Sequence, residues 1–170
     1  MESRVAKEIV EQLVYRMDES SRMIKITLEK LSEADVWQRP NAKSNSIGNI
    51  MLHLCGNIQQ YAVASLGGQE DTRDRDREFA LEDGMTKTEL LSNLEQTVER
   101  AKAVMRSIGL EELLRKRRVQ GFELSGIGII VHVVEHYSYH TGQIAFWVKQ
   151  LKNQDLGFYE GMDLTAKNTE

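Results

Sequence analysis

Apolar residues recur at three- and four-residue spacing through four long stretches of the chain, the period of a helix that buries one face. From about residue 3 to 31 these positions are Val10, Leu13, Val14, Met17, Ile24, Leu28 and Leu31, with Glu, Lys and Arg between them. Ser32-Glu33-Ala34-Asp35 has the form of an N-cap with an acidic first turn, and Arg39-Pro40-Asn41 ends it, so a one-turn helix and a loop are expected next. Ser44, Asn45 and Ser46 cap a second long helix running from about 46 to 66, with Ile47, Ile50, Met51, Leu54, Ile58, Tyr61 and Ala62 inward and Gly67-Gly68 as its stop. Thr86-Lys87-Thr88-Glu89 opens a third, about 87 to 108, whose inward residues are Leu90, Leu91, Leu94, Val98, Ala101, Val104, Met105 and Ile108. Ser125 caps a fourth over about 126 to 151, with Ile127, Ile130, Val134, Tyr137, Thr141, Ile144, Val148 and Leu151 inward.

Between the second and third helices, residues 69 to 85 are rich in Asp, Arg and Glu and read as a solvated, mixed-charge linker. It is long enough to travel the length of a bundle, which lets the third helix run in the same direction as the second. Residues 110 to 124 read as a connection with some extended structure around Val119 to Phe122, and the tail from about 153 has no clear pattern. Four amphipathic helices without a repeated sequence period predict an all-α, four-helix-bundle domain spanning 1 to 170.

Composition agrees with that picture and narrows the function. One proline, with 41% hydrophobic and 28% charged residues, favours long helices over a turn-rich β fold. A net charge of -4 provides no basic field for nucleic acid, and Arg115-Lys116-Arg117-Arg118 is too short and isolated to read as more than a surface patch. The single cysteine, Cys55, cannot form an internal disulfide, and the N-terminus is a charged helical pattern without an apolar signal core. A cytoplasmic protein that neither spans a membrane nor binds nucleic acid is expected. The longest apolar run, Ile127 to Val134, is interrupted by His132 and falls far short of the roughly 20 residues a bilayer requires.

The chemistry gathers on the fourth helix. His132, His136 and His140 lie at intervals of four and, at about 100° per residue, fan across roughly 80° of one face. His140 falls at the edge of the apolar stripe, His136 roughly 40° further out and His132 another 40° toward the polar side. The fourth histidine, His53, lies at the border of the second helix's stripe, where antiparallel packing can bring it opposite. His136, His140 and His53 would then form a three-histidine metal site on the flank of the bundle. Such a set leaves coordination positions open, as a catalytic rather than a sealed structural metal does. Cys55, displaced by roughly 200° from His53, should not join. Asn57 and Gln143, one turn from His53 and His140, are candidates to orient ligands or substrate. Gly142, helical yet off the stripe, suggests close approach by a partner helix or a ligand.

A second parsing competes: His132-Val133-Val134-Glu135-His136 matches H-x-x-E-H, a peptidase zinc signature in which the glutamate activates water. Against it, Glu135 turns toward solvent on the helical wheel. Replacing His140 separates the two, because only the three-histidine reading loses its metal.

Ser46-Ile47-Gly48-Asn49-Ile50-Met51-Leu52-His53, followed by Glu135-His136-Tyr137-Ser138-Tyr139-His140-Thr141-Gly142-Gln143-Ile144, resembles the DinB-like (YfiT-like) superfamily of bacterial metalloproteins over about residues 4 to 151. The segment from Leu31-Ser32 to Arg39-Pro40 is similar as well. The resemblance implies a bundle of up-down-down-up topology, often a homodimer, with a divalent metal such as zinc or nickel held by His53, His136 and His140. Relatives in that superfamily include S-transferases that use a low-molecular-weight thiol, and many described only as metal-dependent hydrolases. His132 is not among its usual ligands, and its role here is open. The expected function is therefore a metal-dependent thiol S-transferase or hydrolase of a small-molecule substrate. The alternative is a non-catalytic helical dimer or stress-response binder with a structural metal or none. Metal analysis separates them.

Overall fold

Three helix starts form as the spacing of their caps predicts. Ser32, Ser46 and Thr86 each accept a hydrogen bond from the backbone N–H three residues on, and the side chains of Asp35, Asn49 and Glu89 accept one from the cap's own backbone N–H. Each box satisfies two backbone donors that a helix start leaves open, worth about 1 kcal/mol per cap.

The computed structural model describes residues 2–167. In chain order it contains α1 (Glu2–Glu29), α2 (Glu33–Trp37), α3 (Ile47–Ile58) continuing into π-helical turns at Gln59–Leu66, and α4 (Arg75–Ala80). It goes on with α5 (Lys87–Ser107), α6 (Leu110–Leu114), strands β1 (Lys116–Val119) and β2 (Phe122–Ser125), and α7 (Gly126–Lys152). Around the core, α1 packs on α7 and α5, while α3 packs on α5 and α7. The seam between them is filled by Met17, Ile24, Leu28, Met51, Leu94 and Tyr137, all fully buried. Burying each apolar side chain of this kind stabilises by about 1.5–3 kcal/mol relative to exposure. Among the described residues no helix is long and apolar enough to cross a membrane.

Four departures from the sequence reading have physical causes. The second long helix is α-helical only to Ile58, and its π-helical end buries Tyr61, Ala62, Val63 and Ala64 in succession, because that end is packed by α5, α7 and β1 at once. Residues 110 to 124 are more ordered than a connection, with α6 followed by an antiparallel hairpin pairing Lys116 with Ser125 and Val119 with Phe122. Gln120 (φ 49°) and Gly121 (φ 83°) make its two-residue turn, whose two positive φ angles match the twist of the strands. The tail beyond 153 is anchored, with Leu156 buried and the Phe158 carbonyl accepting from Arg22 Nη1 at 3.0 Å. Finally, the charged stretch 69 to 85 is not simply a solvated linker. It contains α4, capped by Asp74, and buries Glu78.

Candidate functional site

His53 projects from α3, and His136 and His140 project from successive turns of α7. One ring nitrogen from each lies within 4.8 Å of the others, a group that could hold a metal ion. His53 Nε2 and His136 Nε2 are 2.9 Å apart. The ring centroids of His53 lie 5.0 Å from those of both His136 and His140, which are 4.5 Å from each other. His53 is buried, whereas His136 and His140 are half-buried, so access to the cluster is from the α7 side.

The burial of His53 is the surprise, since its helical position lies at the border of the apolar stripe. The segment read as a linker covers it. Glu78 Oε2 lies 3.0 Å from His53 Nδ1, and Arg73 holds the same carboxylate in a two-pronged pair, Nε to Oε1 at 2.7 Å and Nη2 to Oε2 at 2.9 Å. Arg73 Nη1 also donates to Gln60 Oε1, and Gln60 donates to Asp71. Phe79 sets its ring 5.0 Å from that of His53. Asn49 fastens α4 to α3, its side-chain amide donating to the carbonyls of Glu78 and Leu81 at 3.0 and 2.7 Å. Gly56 makes room, because a Cβ there would overlap the Glu78 carboxylate outright. Arg39 and Trp37 add bonds to the carbonyls of Phe79 and Met85. Sequence reasoning missed Arg73, Glu78 and Asn49. The available signal was Asp74, a good cap three residues before Arg77, followed by Phe79 and Leu81 amid charges.

Electrostatics favour neutral imidazoles along α7. Burial holds His136 down to about 3, reinforced by its histidine neighbours, and burial likewise lowers His140 and His132. Burial alone would raise the Glu78 carboxyl, but its bonds from Arg73 and His53 outweigh this and leave it lowered, hence an anion. A carboxylate is the better acceptor for His53 Nδ1–H, and Arg73 Nη2, though 3.1 Å from that nitrogen, is engaged by Glu78. This tautomer turns the Nε2 lone pair of His53 toward His136. The donor set fits a divalent ion: three imidazoles, one of them backed by a carboxylate. Nitrogens sharing a tetrahedral ion at about 2.0–2.1 Å would sit about 3.3 Å apart, a small adjustment from the 2.9 Å between His53 Nε2 and His136 Nε2.

The other candidates take different places. His132 stays outside the group of three: it stacks on Tyr61 at 4.1 Å and lies 3.3 Å from Asn57 Nδ2. Asn57 thus pairs with His132, and its Oδ1 is buried without a hydrogen-bond partner. Gln143 Oε1 lies 2.7 Å from His140 Nδ1, a position from which it fixes that ring. Glu135 is exposed, so the fold does not assemble the H-x-x-E-H arrangement. Among the described residues, no group outside its own helix backbone would meet a Cβ at Gly142, which faces open space. Cys55 is buried away from the cluster, and burial pushes its thiol up to about 12.

None of the curated proteins matches this sequence. Solved structures share its fold. A DinB-like protein from Bacillus subtilis, YjoA, aligns at TM-score 0.65 and 17% identity over 84% of this chain and 93% of its own. A DinB-like protein from Bacillus cereus aligns at TM-score 0.64 and 12% identity over 84% and 89%. A conserved protein from Enterococcus faecalis aligns at TM-score 0.65 and 16% identity over 89% and 98%. The family model described as "Protein of unknown function (DUF1572)" matches residues 4–160. With a DinB-like fold and nearly its whole length matched, the chain belongs to the DUF1572 family.

Proposed function

We propose that the protein is a metal-dependent enzyme acting on a small molecule, with His53, His136 and His140 as its metal ligands. The observation that carries this reading is the convergence of three imidazole nitrogens within 4.8 Å on a side reachable from solvent. A bound divalent ion, zinc or nickel, would supply Lewis acidity and favour the deprotonated form of a thiol or water that reaches it. The chain's own residues do the rest. Glu78 keeps the His53 proton on Nδ1, Gln143 orients His140, and Phe79 shields the His53 side from water. The chain's one cysteine is no nucleophile, being buried and essentially un-ionised, so the attacking group comes from solution. Transfer of a low-molecular-weight thiol and hydrolysis of a small substrate both meet that condition. The reading includes an up-down-down-up course of the long helices and pairing of two copies.

Metal analysis after purification without chelator tests it first. We expect about one divalent ion per chain, lost in His53→Ala, His136→Ala and His140→Ala and kept in His132→Ala. No metal as purified, and none taken up from added zinc or nickel, would overturn the reading. Turnover of thiol plus electrophile, set against ester and amide hydrolysis, then identifies the reaction. Loaded protein no more active than His140→Ala in every assay would leave a binding protein.

A further inference from the structure

Beside the face of α3 that carries His53, a second face presents Leu52, Cys55 and Gly56, continued by Gln59, to a groove between α3 and α5. From α5 come Asn93, Thr97 and Arg100, spaced to share one side of that helix. The stretch around α4 roofs the groove with Arg73, Arg77 and Glu78, leaving a cavity of about 460 Å³. The Glu78 carboxylate is a shared wall, with His53 on one side and this cavity on the other.

The charges around the cavity do not cancel. Arg73 is fully engaged by Glu78 and Gln60, and Asp74 by the Arg77 backbone N–H. Arg77 and Arg100 pair with no carboxylate among the described residues; the one side-chain bond of Arg100 is a long one, 3.4 Å, to Thr97 Oγ1. Two unanswered guanidinium groups over one cavity are notable in a chain whose net charge is -4. Gln59 Oε1 on the same wall is buried without a hydrogen-bond partner, an arrangement a ligand group can relieve. Beneath these polar groups, Leu52, Leu81 and Met85 make an apolar floor. Polar groups converging above an apolar base are the make-up of a small-molecule site.

We propose that this cavity binds a small organic anion, its carboxylate or phosphate held by Arg77 and Arg100 and its short apolar body lying over Leu52, Leu81 and Met85. Arginine suits the task because its planar fork meets either headgroup with two parallel bonds. The buried Cys55 thiol, un-ionised at neutral pH, belongs to the floor and takes no covalent part. The site is separate from the metal reading and is tested without it.

Metal-stripped protein, dialysed free of chelator, is titrated with butyrate, inorganic phosphate and, as a neutral control, butanol while backbone amide NMR signals are followed. Saturable shifts at Gln59, Arg77 and Thr97 are expected with butyrate, and with phosphate if the headgroup alone suffices. Butanol should shift them weakly. R77M/R100M, which keeps side-chain length at two exposed positions, should weaken butyrate binding about tenfold or more. The proposal fails if neither anion gives saturable shifts there, if butanol equals butyrate, or if the double variant binds as tightly as the parent. Histidine variants that lose metal leave all these outcomes unchanged.

Discussion

Glu78 accepts from both an imidazole and a guanidinium while almost wholly buried, and each bond constrains the other. Exchanging it for glutamine keeps the shape but removes the charge that favours the Nδ1–H tautomer of His53. We expect Glu78→Gln to bind zinc about 10- to 100-fold more weakly, measured by competition with a chromophoric chelator, with little change in helix content. Gly56→Ala should act in the same direction, since the added methyl displaces that carboxylate. At this scale the histidines were legible, because intervals of four on a helix place rings side by side whatever surrounds them. Glu78 and Arg73 were not. A run of mixed charge looks the same whether its members face water or each other, and only the fold distinguishes the two.

Among the elements, α4 depends on α3 more than its six residues suggest. Asn49 completes the cap of α3 and also holds two carbonyls around α4, so its loss acts twice. Asn49→Ala should cost about 2 kcal/mol in urea unfolding and speed proteolytic cleavage within 69 to 85. Ser46→Ala, which removes only the cap, should cost about 1 kcal/mol and leave cleavage slow. Equal cleavage in both variants would mean that Asn49 does not fasten the segment. The long helices and their caps could be read from spacing, since most of the predicted inward positions are buried. Of the hairpin only the extended structure around Val119 to Phe122 could be read, and α6 not at all, because five- and four-residue elements are held by their neighbours rather than by their own periodicity.

Across the whole molecule, elements far apart in the chain are tied through charge. Lys152, at the end of α7, donates to Asp35 of α2 at 2.6 Å, and with the Ser32 cap this lowers the Asp35 carboxyl to about 2. The unfolded chain therefore takes up that proton first as pH falls. The contribution is complete above about pH 4 and disappears toward pH 2. Carbon-detected NMR titration should find Asp35 ionised well below the other carboxyls, and Lys152→Ala should raise its midpoint. An unchanged midpoint would exclude the lysine as the cause. The helical class of the fold was foreseeable from four amphipathic stripes, but the docking of the tail was not, since Leu156 stands alone without a repeat. The π-helical turns at Gln59–Leu66 carry one further implication. Hydrogen bonds that reach back five residues rather than four enclose surplus chain, so this stretch holds slack. Removing a single residue there can convert a wide turn to an ordinary one, whereas the same deletion within α5 would rotate every later inward position by about 100°.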